Sequence, residues 1–131
     1  MVQWAILLFG LNAAVAIVSS VFAAREARAP GSLEHAELSD AGRFYSRLYS
    51  IRGIPLGLAA AIAPFLILCD AGAGAAAATL VLVAFVVQAS DFVLLARRVG
   101  LRNIRPLSIL FAAVVHLATV IVLFCGGAPA G

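Results

Sequence analysis

The 131-residue chain contains no lysine, and only 11% of its residues are charged: nine Arg against six acidic residues. With 64% apolar residues and a mean hydropathy of +1.11, that scarcity excludes an ordinary water-soluble domain, which has no way to hide so much apolar surface. Cysteine occurs only twice, which excludes a disulfide framework. Glycine-rich nucleotide loops are absent, and a single His falls inside an apolar run, so neither a nucleotide nor a haem cofactor is expected. His35 sits among exposed acids with too few companions for a metal site. The pI near 9.5 reflects two arginine-bearing stretches separated by Leu, Val, Ala and Ile, and no nucleic-acid surface follows from it. No basic residue precedes the first apolar run, and that run exceeds a signal core of about 7 to 15 residues, so it reads as a retained helix rather than a secretory signal.

What is present are four apolar runs, roughly 2–24, 45–69, 75–96 and 107–125. Each approaches the 20 or so residues that a helix needs to cross the hydrocarbon layer. The expectation is a single all-α domain over 1–131, a four-transmembrane-helix bundle that fills nearly the whole chain. All nine Arg fall in or beside the first and third connections, and short arginine-bearing loops stay on the cytoplasmic side. Both termini are therefore expected outside the cytoplasm, in a multi-pass protein of the cytoplasmic (inner) membrane. Ala and Arg richness without Lys fits a high-GC bacterial genome. In the first connection, Ser32 followed by Glu34 and Glu37 has the form of a helix start, so a short surface helix is expected there.

Small residues crowd particular faces, notably Gly53 and Gly57 at a spacing of four, and allow helices to approach closely in lipid. Pro55 and Pro64 are expected to bend the second helix. Cys69 and Cys125 fall at helix ends away from the arginines and read as two apolar thiols, a disulfide being the alternative.

Polar residues inside the spans carry the functional argument, because each is costly there unless it finds a partner or water. Asn12, Arg52, Gln88, Asp91 and His116 are the five. Tyr45, Tyr49 and Arg52 share one helical face, and Asp91 reaches about the same depth as Arg52, so the two charges are placed to neutralise one another. Snorkelling of Arg52 to the interface is the plainer alternative. Gln88 and Asp91 share a face, as do Ser108, Ala112, His116 and Thr119. The set describes a polar pocket in the cytoplasmic half of the bundle, walled by aliphatic residues and suited to a lipophilic small molecule with one polar group. Asp91 and His116 are the expected proton-transfer groups, with Arg52 holding Asp91 ionised or binding an anionic or carbonyl group. Asn12, Tyr45, Tyr49 and Gln88 are the expected substrate-orienting residues. Simple hydrogen bonds between helices account equally well for Asn12 and His116.

The run from Arg43-Phe44-Tyr45 through Ser50-Ile51-Arg52-Gly53-Ile54-Pro55-Leu56-Gly57, with Ser90-Asp91 and His116, resembles an uncharacterised family, a domain of unknown function, of small bacterial four-helix membrane proteins. Members of that family carry an Arg-Gly or Gly-x-Arg-Asp element opening the second helix, an Asp closing the third and a His in the fourth. Where the family pattern usually places an acid directly after the Arg, this chain has Gly53. The resemblance covers most of the chain from Arg43 onward, and implies a grouping of Arg52, Asp91 and His116 without naming a substrate. The reading is a membrane-embedded enzyme or binder of isomerase, cyclase or hydrolase type, with no cofactor or metal. Alternatives are a small proton-coupled exporter and a structural subunit of a membrane complex, and a homo-oligomer fits all three.

Overall fold

The computed structural model describes residues 2–30, 39–99 and 104–126. Helix α1 runs Val2–Arg28, α2 Asp40–Cys69, α3 Gly74–Val99 and α4 Ile104–Gly126. All four are long and apolar enough to cross a membrane, the architecture of a multi-pass membrane protein. At the end bearing the arginines α1, α2 and α3 continue past the apolar runs, since nothing there breaks a helix. Helix α2 starts five residues earlier than its apolar run because Ser39 caps it, its Oγ accepting the Gly42 N–H at 3.2 Å. The surface helix expected at Ser32–Glu37 lies outside the described residues.

Helices α2 and α3 are joined by one 3-10 turn, Ala71–Ala73, which Asp70 caps by accepting the Gly72 N–H at 2.8 Å. The first two helices are antiparallel along their full length. Ser46 meets Glu26 at one end, Ser20 meets the Ile54 carbonyl further along, and Phe65 meets Phe9 edge-on, with ring centroids 6.3 Å apart, at the other. Helix α3 packs along α4 in the same way, and contacts of α2 with α3 and of α1 with α4 close the bundle.

The bundle is dressed inside out. Large apolar side chains such as Trp4, Leu7, Ile62, Leu94, Val114 and Phe124 are exposed, while the core is dominated by alanine. Buried aliphatic or aromatic bulk among the described residues is confined to the half remote from the arginines and to mid-bundle, where Phe9, Val81, Val120 and Leu123 join Ala63, Ala77 and Ala78 in one cluster drawn from all four helices. Alanines of α1, α2 and α3 form the next layer, Ala16, Ala60, Ala61 and Ala84. Beyond it, toward the arginines, the buried or half-buried residues include Ser19, Ser20, Ser46, Ser50 and Gln88. One half is thus plugged with hydrocarbon, and the other mixes small and polar groups with the half-buried Ile54, Leu56, Phe92, Leu95 and Ile109.

Close approach of α1 and α2 depends on Gly57. A methyl group placed there would fall on Ser20 Oγ and come within 2.9 Å of the Ala16 carbonyl oxygen, a backbone atom that has no way to swing aside. Gly10 has nothing within 4 Å of the equivalent position. Gly57→Ala is therefore expected to destabilise the folded bundle by about 1–3 kcal/mol, read as a lower unfolding midpoint in detergent, with Gly10→Ala close to neutral.

Candidate functional site

Proline inside a membrane helix removes one N–H, and the carbonyl four residues earlier loses its partner. Pro64 does this to Ala60, about two thirds of the way along α2. In lipid a bare carbonyl is expensive, and neighbouring side chains are the usual remedy. Asn12 of α1 supplies it: its Nδ2 donates to the Ala60 carbonyl at 2.8 Å, and both residues are fully buried.

That bond fixes the next one. With the amide nitrogen of Asn12 committed to a carbonyl, its Oδ1 is the atom that faces His116 of α4, 2.7 Å from Nδ1. An oxygen accepts and never donates, so Nδ1 carries the proton, and in the neutral ring Nε2 carries the lone pair. His116 is 1% exposed, and none of the described residues hydrogen-bonds Nε2. No enclosed side-chain nitrogen or oxygen among the described residues lacks a partner, so Nε2 is not fully enclosed. Thr119, one turn from His116, is fully buried but occupied by the Val115 carbonyl at 2.9 Å.

The other expected residues lie closer to the arginines. Gln88 donates from Nε2 to Ser19 Oγ at 3.1 Å, joining α3 to α1 seven residues, or about 10 Å, from Asn12. Asp91 is half-buried on α3, one turn beyond Gln88, and is engaged in an interaction of its own. Arg52 is exposed. It falls on the outward stripe of α2 with Leu48, Pro55, Ile62 and Leu66, and no ion pair joins it to Asp91. The pairing expected from matched depth is therefore not seen in this structure, because equal depth leaves the direction around the helix axis open. The side chains of Tyr45 and Tyr49 lie outside the described ones. Cys69 and Cys125 are both exposed free thiols. Among the described residues no group of three metal-ligating side chains gathers.

The structure thus brings Asn12 and His116 together at mid-bundle, puts Gln88 and Asp91 on the arginine side of them, and leaves Arg52 outside. Two contributors escaped the sequence reading, the Ala60 carbonyl and Ser19. Pro64 was the available signal for the first, since it names the orphaned carbonyl by position. Comparison with family models, curated proteins and solved structures finds no match, so the site is read from its geometry.

Removing the Asn12 amide strands two buried polar groups, each at about 1–3 kcal/mol. Pro64→Ala restores the N–H that Ala60 lacks. In a double-mutant cycle, Asn12→Leu should therefore cost about 1 kcal/mol less in the Pro64→Ala background than in the parent, measured by reversible unfolding in mixed micelles. Strict additivity would remove Pro64 from this account.

Proposed function

We propose that the arginine half of the bundle is a chamber for a lipophilic small molecule bearing one hydrogen-bond donor or acidic C–H, with His116 Nε2 at its floor as acceptor and base. What supports this reading is the buried imidazole whose Nε2 is bonded by none of the described residues, with the hydrocarbon cluster on the remote side of its layer and the Gln88–Ser19 contact on the arginine side. Orientation follows from the arginines: their end faces the cytoplasm, both termini face away, and the membrane is the inner one of a bacterium.

The chemistry is proton transfer. The ligand's proton moves to Nε2, and the resulting imidazolium keeps its Nδ1–H on Asn12 Oδ1, which orients and steadies it. Returning the proton to a different atom of the same molecule completes an isomerisation or closes a ring, with no outside reductant or oxidant. In this reading Gln88 lines the chamber about 10 Å nearer the arginines, and Asp91, nearer the aqueous end, exchanges protons with solvent. Asp91 and His116 remain the acid/base pair of this proposal, working at different depths.

The test is spectroscopic. Protein labelled with 15N-histidine and carrying His35→Gln, reconstituted in bicelles, should show His116 as the Nδ1–H tautomer. Adding a lipophilic phenol should then move the Nε2 resonance while leaving Nδ1 nearly still. Asn12→Leu should scramble the tautomer and weaken phenol binding about tenfold or more, the scale of a buried polar contact. An Nε2 signal indifferent to the phenol, in folded protein, would refute the chamber.

A further inference from the structure

A guanidinium in the apolar part of a membrane helix needs a counter-charge, and Arg52 has none among the described residues. It makes no hydrogen bond or ion pair with any described residue and is exposed. The other arginines of its neighbourhood differ. Arg43 is paired with Asp40, and Arg47 donates from Nε to the Ala27 carbonyl at 3.0 Å. Arg25 and Arg28 stand in the last turn of α1, at the edge of the bundle.

The α1–α2 register gives the depth of Arg52. Ser46 is level with Glu26 and Ile54 with Ser20, which puts Arg52 level with residues 21–22. That is about one turn, or 6 Å, deeper than Arg25. The stretch of bundle around it is apolar and open: Leu48, Ile51 and Pro55 on α2 and Val21 and Phe22 on α1 are all exposed. A fixed positive charge one turn below the bundle edge, with exposed hydrocarbon beneath and beside it, matches one class of molecule, in which a phosphate anion is joined to acyl chains.

We propose that Arg52 is the anchor of a binding site for an anionic phospholipid, whose phosphate the guanidinium holds as a paired fork while the acyl chains lie along the stripe of Pro55, Leu58 and Ile62. Charge balance supports the sign. At this end the arginines are Arg25, Arg28, Arg43, Arg47, Arg52, Arg97, Arg98 and Arg105 among the described residues, against the acids Glu26, Asp40 and Asp91, and Glu26 already accepts from Ser46 at 2.8 Å. The site is separate from the chamber at His116, since it lies on the outside of α2.

Lipid retention on the full chain tests this. The protein is reconstituted in nanodiscs holding equal parts phosphatidylglycerol and phosphatidylcholine, then released gently and weighed with whatever lipid it keeps. The parent should retain phosphatidylglycerol over phosphatidylcholine. Arg52→Gln should cut that preference about fivefold, Arg52→Lys should keep part of it as a point charge without the fork, and Arg28→Gln at the helix end should change it little. Equal loss from Arg28→Gln and Arg52→Gln would reduce the effect to general surface charge and overturn the site. Displacement of the lipid by inorganic phosphate alone would show that the acyl chains contribute nothing, and would also overturn it, as would a change of oligomeric state in Arg52→Gln without a change in lipid. Helicity measured by circular dichroism for each variant confirms that the compared proteins are folded.

Discussion

The constraint on which the interior of this bundle turns is a single missing N–H. Pro64 leaves the Ala60 carbonyl without its rung, in a solvent that offers no replacement. The Asn12 amide is drawn in to fill the gap, its nitrogen is thereby spoken for, and its oxygen is left to hold the His116 ring in one protonation pattern. Three helices are tied at one depth by two hydrogen bonds. Neither bond is strong in net terms, but the alternative for each partner is an unsatisfied polar group in hydrocarbon, which makes the arrangement selective for this register.

Packing around that layer is uneven. On one side, Phe9, Phe65, Val120 and Leu123 fill the space between helices as a soluble core would. On the other, the described buried residues are Gly57, alanines, Ser20, Ser50 and Val115, with Gln88 and Ser19 bridging α3 and α1. Glycine, alanine and serine let backbones approach at the α1–α2 seam. The bundle is tight where α1 meets α2, and its polar side chains meet in the arginine half. That contrast, rather than any one side chain, is the physical basis for reading the arginine half as a chamber.

Much of the architecture was legible from hydropathy alone: four apolar runs of spanning length became four helices, because in lipid no other backbone solution is open to them. Ends were less legible. Helix α2 begins at Asp40 because Ser39 caps it, and capping is independent of where apolar residues start. At the site, Asn12 and His116 stood out as polar residues in hydrocarbon, yet the sequence left a wider polar ring and a plain interhelical bond equally open. The Ala60 carbonyl was hidden, since backbone atoms have no letter of their own. Arg52 and Asp91 show the opposite problem: counting residues gives depth to within a turn, but which way a side chain points around its axis depends on which face packs, and exposed Leu48, Pro55 and Ile62 place Arg52 outward.

The rung that α2 lacks has a bearing on biogenesis. A helix carrying Pro64 and entering the bilayer by itself would drag a naked peptide oxygen into oil, whereas one entering beside α1 finds an amide waiting at the right height. The first two segments are thus built to be inserted as a hairpin, the earlier one serving as a template for the later. Their seam, small through its middle and closed by Phe9 against Phe65 at one end, is the surface along which such a hairpin zips.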